Sequence, residues 1–229
     1  ATGGGEDPNR GVEDGWVPLH FAAYEGNPEA ISVLLSRGAL IESSTEKGWT
    51  PLLIAASQNQ LGAAKVLIDA GANVNHRSNG EQSTALHLAT EEGFLDMIKL
   101  LLDGQSNPNS VNLLGRTPLH LAAEAGDVAA AAQLLAAGAH ADALDKDGWL
   151  PVQIAEVKGF EDFIVYLDKT EHERLQAGVP IKTYRKQSSE PYSGGLPLTR
   201  QLSAQHSRKL DEGAVSLRAL PGGGAATTA

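Results

Sequence analysis

The sequence predicts an all-α solenoid of about five helix-turn-helix units with extended hairpin fingers, followed by a largely disordered tail. Three observations support this prediction. Similar segments recur every 33 or 34 residues, and they begin at Trp16, Trp49, Ser83, Arg116 and Trp149. Most of these segments combine a helix start with small and apolar residues at helical spacing. A fixed period of this length is typical of stacked repeats rather than of a globule built around one pocket.

The second unit shows why each element forms. Thr50 is a favourable helix N-cap, and Pro51 loses no hydrogen bond at the next position because that amide would be unpaired anyway. Apolar residues within 52–56 then form a tightly packing helix face. A second apolar helix is predicted over 63–68, and Gly71 ends it. The residues that follow read as an extended arm leading to a turn.

Two motifs identify the type of repeat. Residues 117–123 read Thr-Pro-Leu-His-Leu-Ala-Ala, and residues 71–75 read Gly-Ala-Asn-Val-Asn. Together with the period, these motifs resemble the ankyrin repeat, whose signature includes Thr-Pro-Leu-His-x-Ala and a Gly-Ala-Asp-Val-Asn arm. The resemblance covers about two thirds of the chain. It implies an ankyrin-repeat fold and a role in binding proteins, but it names no partner, because the family binds unrelated ones.

The predicted organisation is a head, an array and a tail. Residues 1–11 form a flexible head, and residues 12–176 form the array. The repeats are placed near 12–44, 45–78, 79–111, 112–144 and 145–176. Residues 177–229 are rich in Gly, Ser, Pro and Gln, and they have too few apolar positions to offset the entropy of ordering. This tail is therefore predicted to be disordered.

Two repeats depart from the common pattern. In the third, Ala85 replaces proline and Ser78 is an inserted residue, so we expect an irregular fingertip over 78–83. The glycine of its arm, Gly104, also stands one place early. In the fifth, Glu156 replaces a small interior residue. A carboxylate is costly to bury, so this face should meet water, as a C-terminal capping repeat requires.

Charge is divided unevenly along the chain. Residues 14–169 carry 9 Lys and Arg against 20 Asp and Glu, a net charge of −11, whereas residues 170–229 carry 8 against 5, a net charge of +3. An acidic body disfavours nucleic acid as a partner, because phosphate binding needs clustered basic residues. No apolar run approaches the ~18 residues of a membrane helix, so no membrane partner is expected. Proteins or peptides with basic and apolar residues are favoured, and the basic tail is one such segment.

The chain contains no cysteine, which excludes disulfides, thiolate zinc sites and cysteine nucleophiles. Because no secretory signal is visible either, we expect a cytoplasmic or nuclear location. The first residue is Ala1 rather than Met, which fits a processed or excised fragment. No cofactor is expected.

Motifs that suggest metal sites have structural explanations. His20, His87 and His120 recur at one repeat position, so they should lie ~10 Å apart, too far for a shared metal. The resemblance implies that each one hydrogen-bonds to neighbouring backbone. Asp145 begins a segment that suggests a calcium loop, but Ile154 stands where that loop needs its bidentate Glu. An ordinary fingertip turn is predicted there.

Partner-binding residues are predicted along two neighbouring rows. Trp16, Trp49 and Arg116 lie two residues before the motif proline, a position that in the family touches ligands on the fingertip side of the groove. Trp and Arg are also enriched at binding hot spots. The alternative is that the rings pack on the next finger, which we favour for Trp149.

The second row lies just before the ends of the first helices. Its predicted partner-binding members are Tyr24, Gln58, Glu91, Glu92 and Glu124. The alternative is a solvated polar face with no ligand. The hypothesis places the recognition centre at Trp49, Glu91, Glu92, Arg116 and Glu124.

Two kinds of modification are suggested by local sequence. Ser188, Ser189 and Ser203 follow basic residues and look like sites for basophilic kinases, and the first two loosely resemble a docking motif for 14-3-3 proteins. Phosphorylation would reverse the local charge and release the tail from the acidic groove; the alternative is an inert linker. Asn75 resembles arm asparagines accepted by hydroxylases of the factor-inhibiting type.

The predicted function is a non-enzymatic protein-interaction module that acts as an adaptor, scaffold or inhibitor. The alternative is a regulatory or targeting segment of a larger enzyme whose catalytic domain lies outside this chain. An enzyme in its own right is disfavoured, because no nucleophile motif, HExxH motif or pair of catalytic acids is present.

Overall fold

Ten helices form five consecutive pairs in the computed structural model, which describes residues 7–176. The helices are α1 Pro18–Tyr24, α2 Pro28–Ser36, α3 Pro51–Ser57, α4 Leu61–Asp69, α5 Ala85–Glu91, α6 Leu95–Asp103, α7 Pro118–Ala125, α8 Val128–Ala136, α9 Pro151–Lys158 and α10 Glu161–Gln176. A short 3-10 turn at Glu13–Gly15 precedes them. Residues 7–176 contain no β-strand, which confirms the predicted all-α class.

The helices begin and end where capping chemistry predicts. Thr50 Oγ1 accepts a hydrogen bond from the Leu53 amide at 3.4 Å ahead of α3, and Asp127 Oδ1 accepts one from the Ala130 amide at 2.9 Å ahead of α8. Proline is the first residue of α1, α3, α7 and α9, where its missing amide hydrogen costs no bond. Gly126 ends α7 in the left-handed region at φ 70°. The sequence signals therefore set the helix lengths directly.

The core runs through all five pairs. The first helices α1, α3, α5, α7 and α9 pack side by side in one row, and α2, α4, α6, α8 and α10 form a second row. Ala23, Ala56 and Ala123 are fully buried on the first helices, and their small side chains allow neighbouring helices to approach closely. Each pair therefore rests on the pairs before and after it, as in a solenoid.

The fingers are turns that hydrogen-bond to one another through the backbone. Fingers 1 to 5 are residues 12–16, 45–49, 78–83, 112–116 and 145–149. One amide in each of fingers 2 to 5 donates to a carbonyl of the finger before it: Glu46 to Asp14, Asn79 to Lys47, Leu113 to Glu81 and Lys146 to Leu114, at 2.7–3.1 Å. We call these four bonds the fingertip ladder. The ladder holds the fingers in register with the helices beneath them.

Finger 3 is one residue longer than the others. The Ser78 amide reaches the Ser83 carbonyl at 3.0 Å across five residues, whereas the Thr45 amide reaches the Trp49 carbonyl across four. Gln82 adopts φ 55° where the other fingers have glycine, and its side-chain amide donates to the Ser78 carbonyl at 3.1 Å. The predicted irregular fingertip over 78–83 is thus confirmed.

The arm of the third repeat keeps its register although its glycine stands one place early. Gln105 adopts φ 66° where the other arms have glycine, while Gly104 is right-handed at φ −76°. A Cβ on Gly104 would lie 3.1 Å from Ile68 Cγ2. Glycine at this position therefore serves the close packing of α6 on α4 rather than the turn.

An additional arm lies ahead of α1. Asn9 Oδ1 accepts from the Leu40 amide at 2.8 Å, and its Nδ2 donates to the Gly38 carbonyl at 3.1 Å. Asn109 makes the same two bonds to the arm of the fourth repeat, at 2.8 and 3.0 Å. Residues 7–11, which the sequence analysis assigns to a flexible head, thus bond to the first repeat as an internal arm does, and the array extends back to Asp7.

The C-terminal end of the array exposes a charged side chain where internal repeats bury alanine. Glu156 on α9 is exposed, whereas Ala123 and Ala56 at the same repeat position are fully buried. This confirms the prediction that Glu156 meets water on a C-terminal capping face. The carboxylate therefore carries no desolvation cost at this end.

Replacing Ser106 with alanine should stabilise the array. Ser106 is 5 % exposed, and its hydroxyl has no hydrogen-bond partner among the described residues. The other arms place alanine at this position, as at Ala39 and Ala139. Removing an unsatisfied buried hydroxyl is expected to raise the free energy of unfolding by about 1 kcal/mol. Urea unfolding of wild type and Ser106→Ala measures the change, and a less stable variant would contradict it.

Candidate functional site

The candidate binding surface lies between the fingers and the first helices. Its fingertip row holds Trp16, Trp49, Ser83, Arg116 and Trp149, and its helix row holds the last residues of α1, α3, α5, α7 and α9. We call this surface the groove. The two rows touch in the first repeat, where the ring centroids of Trp16 and Tyr24 are 6.2 Å apart. They also touch in the fourth, through the ion pair of Arg116 and Glu124.

Each tryptophan ring of the fingertip row is partly packed and partly exposed. Trp16, Trp49 and Trp149 are all half-buried and pack against the hydrophobic core. Trp16 also lies 5.0 Å from Phe21, centroid to centroid. Each ring therefore has a packing role, as in the alternative interpretation given in the sequence analysis. Trp16 and Trp49 each keep a smaller exposed part that a ligand could contact, and their role as partner contacts stays a prediction.

The third repeat carries the acidic centre of the groove. Glu91 and Glu92 are exposed, and neither forms an ion pair within residues 7–176. Although Glu91 keeps an exposed surface, partial withdrawal of its carboxylate from water by the surrounding groove raises its pKa, and the nearby carboxylates of Glu92, Glu81 and Glu124 raise it further, against the opposing charge of Arg116. Because several carboxylates repel one another here, a positively charged ligand would be attracted to this site.

Arg116 is 9 % exposed and is held by two carboxylates. Its Nη1 donates to Glu124 Oε2 at 2.6 Å, and its Nε donates to Asp145 Oδ2 at 3.4 Å. Glu124 Oε1 lies 3.5 Å from Lys158 Nζ. We call these four residues the ion network. It neutralises the groove in repeats 4 and 5, so Arg116 and Glu124 are committed to each other in the unbound protein, and their part in binding stays a prediction.

The remaining predicted residues lie apart from this centre. Gln58 is exposed and its side chain contacts only Ser57 Oγ, at 3.4 Å, among the bonds of the described region. Asn75 is exposed in its arm, and its Oδ1 accepts from the Asn107 amide at 2.8 Å, so its hydroxylation remains a prediction. Ser188, Ser189 and Ser203 lie outside the described residues, as does the whole tail, and the tail's proposed return to the groove stays a prediction.

The histidines brace consecutive repeats. His87 Nδ1 accepts from the Thr84 amide at 3.3 Å, and its Nε2 donates to the Arg116 carbonyl of the next finger at 3.0 Å. His120 makes the equivalent bonds to the Thr117 amide and to the Trp149 carbonyl. Burial lowers the pKa of His87 to about 4, and the same cause lowers the pKa of His20 and of His120. These rings are therefore neutral structural groups, as the resemblance implies.

Sequence reasoning missed an apolar patch of three side chains in and just before fingers 4 and 5. Val111, Leu113 and Leu144 are 38 %, 50 % and 47 % exposed. The equivalents of Val111 and Leu144 in earlier repeats are Ser44 and Arg77. That change from polar to apolar along one repeat position was the available signal. Several exposed large apolar side chains in consecutive repeats are typical of interaction surfaces.

Other kinds of site find no support in the described part of the chain. No group of three or more His, Asp or Glu side chains there is placed to hold a metal ion. Asp145 Oδ1 instead accepts from the amides of Asp147 and Trp149, at 3.0 and 2.9 Å, which forms the turn predicted in place of a calcium loop. None of the helices between residues 7 and 176 has the length and apolarity to cross a bilayer.

Comparison with known proteins identifies the repeats. A family model described as "Ankyrin repeats (3 copies)" matches residues 3–78, 19–112, 70–145 and 86–174. The matches together run from residue 3 to residue 174 and include the arm around Asn9. No curated protein matches the chain.

Proposed function

Because the chain belongs to the ankyrin repeat family, whose repeats bind other proteins, we propose that it is a non-enzymatic adaptor, scaffold or inhibitor. It binds a segment of a partner protein along the groove. The segment that fits best has a basic residue flanked by apolar residues. The observation that carries this proposal is the acidic centre at Glu91 and Glu92, which lacks a cation within the described region.

The distribution of charge favours the third repeat as the contact for the basic part of the partner. Glu91 and Glu92 are open to solvent, whereas Glu124 is already paired with Arg116 and Lys158. A lysine or arginine of the partner gains most where it meets carboxylates that have no other counter-ion. Such a side chain would also relieve the repulsion among the carboxylates that raises the pKa of Glu91.

Apolar contacts extend the binding surface on both sides of this centre. The exposed part of Trp49 lies one repeat before it, and the apolar patch at Val111, Leu113 and Leu144 follows it in and just before fingers 4 and 5. Buried aromatic and aliphatic anchors supply most of the affinity in peptide recognition, while charges set register and specificity. The groove thus favours one basic centre between two apolar contacts.

The geometry of the described residues fits binding better than catalysis. A shallow depression of about 350 Å³ lies between α4 and α6, and Leu61, Leu100 and Lys65 help to line it. It is open to solvent, so it cannot withdraw a reacting group from water as active sites do.

Charge reversal at the acidic centre should weaken partner binding about 10- to 100-fold, because it replaces attraction by repulsion at the basic residue. Peptides selected from a random display library on the array provide the ligands, and they should be enriched in Lys or Arg flanked by apolar residues. Their affinities for wild type, Glu91→Lys with Glu92→Lys, and Trp49→Ala are then compared by fluorescence anisotropy.

The matched control is Glu29→Lys with Asp96→Lys, which changes the net charge equally. Both residues are exposed near the starts of second-row helices, away from the groove. This control should retain wild-type affinity. If both double variants lose affinity equally, only net charge attracts the peptides, and the proposed site is wrong.

A further inference from the structure

The tip of finger 3 carries a dipeptide with chemistry of its own. Asn79 is followed by Gly80, whereas none of the other eight asparagines of the sequence is followed by glycine. The side-chain carbonyl carbon of an asparagine can be attacked by the backbone nitrogen of the next residue, and a side chain on that residue hinders the attack. Glycine has no side chain, and its backbone reaches the conformation that ring closure requires. Local sequence therefore makes Asn79 the most reactive asparagine of the chain.

Gly80 meets the requirements of the attacking residue. It is exposed, and nothing lies within 4 Å of a Cβ added to it. Its amide donates no hydrogen bond among those formed within residues 7–176. The attack on Asn79 therefore breaks no hydrogen bond of the Gly80 nitrogen to this part of the protein.

The side chain of Asn79 is exposed and weakly held. It lies over Gly48 of finger 2, where an added Cβ would be 2.6 Å from Asn79 Oδ1. Its Nδ2 donates to the Glu46 carbonyl at 3.4 Å, which is long for an N–H to oxygen hydrogen bond. Because a glycine offers few atoms for packing, the side chain can turn from finger 2 towards Gly80 at small cost.

The backbone on both sides of the dipeptide is fixed by the fingertip ladder. The Asn79 amide donates to the Lys47 carbonyl at 3.1 Å, and the Glu81 carbonyl accepts from the Leu113 amide at 2.7 Å. Gly80 stands between these two bonds with open space around it. A ring that forms here, or one additional backbone carbon, is therefore accommodated without displacing either neighbouring finger.

We propose that Asn79 is a modification site, at which spontaneous deamidation converts the side-chain amide to a carboxylate in the folded protein. The ladder bonds on either side remain, because the reaction changes only the span between them. The equivalent ladder donors of fingers 2, 4 and 5 are Glu46, Leu113 and Lys146. The ladder therefore does not depend on an amide side chain, and it tolerates a carboxylate at this position.

The reaction consumes one water and releases one ammonia. A hydroxide ion of the solvent takes the proton of the Gly80 amide, and the Gly80 nitrogen forms a bond to Asn79 Cγ. The Cγ–Nδ2 bond breaks, and ammonia leaves with a proton from water, which restores the hydroxide. Water then opens the five-membered imide ring. Breaking the bond from nitrogen to Cγ gives aspartate, and breaking the bond from nitrogen to the backbone carbonyl carbon gives isoaspartate. No group is oxidised or reduced.

Other asparagines lack one or more of these features. Asn27 and Asn107 precede proline, which has no N–H to lose. Asn112 of finger 4 is 8 % exposed, and its Oδ1 accepts hydrogen bonds from the Leu114 and Arg116 amides, both at 3.0 Å. Turning that side chain would leave two amides unpaired, which is costly. Asn112 is therefore the internal reference for a protected asparagine.

Ageing of the full chain in mildly alkaline buffer, below its melting temperature, tests the proposal. Peptide mapping by mass spectrometry should find the mass gain of an amide-to-acid conversion at residue 79 before it appears at any other asparagine. Both aspartate and isoaspartate are expected as products. Gly80→Ala should slow the conversion at least about tenfold, because the alanine methyl hinders ring closure. Earlier conversion of another asparagine, or an unchanged rate in Gly80→Ala, would overturn the proposal.

Two substitutions separate the chemistry from the fold. Gly80 lies outside the left-handed region and has open space around it, so the Tm of Gly80→Ala should stay within about 2 °C of wild type. Asn79→Gln keeps an amide at the same position, but its longer side chain would have to close a less favourable six-membered ring. It should therefore suppress the conversion as well, and a wild-type rate of conversion at residue 79 in this variant would contradict the proposed mechanism.

A synthetic peptide of residues 76–83 measures the same reaction without the fold. The folded chain should convert at a rate within about tenfold of the peptide, since one long hydrogen bond opposes the reaction. A slower reaction would show that finger 3 protects Asn79, and the proposal would be wrong. In the aged protein, hydrogen exchange at the Leu113 amide should change less than about threefold. A larger increase would show that the product breaks the ladder, contrary to the proposal.

Discussion

Gly115→Ala should lower the free energy of unfolding by about 3 kcal/mol, whereas Gly148→Ala should lower it by only about 1 kcal/mol. Both glycines lie in the left-handed region, at φ 74° and φ 80°, so alanine pays a similar backbone cost at each. Their surroundings differ. A Cβ on Gly115 would lie 2.8 Å from the Lys146 amide nitrogen, whereas a Cβ on Gly148 would meet nothing within 4 Å.

The added cost at Gly115 arises in the fingertip ladder. The Lys146 amide donates to the Leu114 carbonyl at 3.0 Å, and the neighbouring backbone cannot move aside without stretching that bond. Denaturant unfolding measures both variants, and hydrogen exchange at the Lys146 amide should quicken only in Gly115→Ala. Equal destabilisation of the two variants would mean that backbone conformation alone requires glycine in these fingers.

Acid should destabilise the array by roughly 3 kcal/mol through His87 alone as the pH falls from 6.5 to 4. Burial lowers the pKa of His87 from 6.5 to about 4, so within that window the unfolded chain binds a proton that the folded chain excludes. Stability is therefore fully present above pH 6.5 and declines below it. The lowered pKa of His20 and of His120 acts in the same direction.

The chain itself supplies the substitution that tests this. Gln153 occupies the histidine position in the fifth repeat, and its Oε1 accepts from the Leu150 amide at 2.9 Å. His87→Gln should keep the equivalent bond to Thr84 and should flatten the dependence of unfolding free energy on pH between 6.5 and 4. His140→Gln, on an exposed arm, is the control and should leave the slope unchanged. An unaltered slope in His87→Gln would show that other groups control the acid response.

Local signals in the sequence were sufficient for the helices. Thr50 and Pro51 start α3 as predicted, and the exposure of Glu156 follows from the cost of burying a carboxylate. These features depend on residues within one helical turn, or on the free energy of moving one carboxylate out of water. They can therefore be predicted from one sequence. The same holds for the length of finger 3, which follows from counting residues between its neighbours.

Contacts between repeats were harder to predict. The fingertip position of Arg116 was evident from the period, but its partner Asp145 lies 29 residues later in a segment that suggested a turn and nothing more. The arm at Asn9 was assigned to a flexible head because no helix signature precedes it. Its spacing of 33 residues from Glu42 in the next arm was the available signal. Side-chain partners across repeats depend on geometry that periodicity does not specify.

The extra residue of finger 3 shows where this array tolerates growth. In finger 3 the ladder donates from Asn79 and accepts at Glu81, and Gly80 stands between them with nothing within 4 Å of an added Cβ. The additional length thus projects away from both neighbouring fingers without interrupting either bond. A tip anchored on both sides but unconfined at its apex can be lengthened or exchanged independently of the scaffold, so new binding loops can arise at finger 3 while the packing of the helices beneath it is preserved.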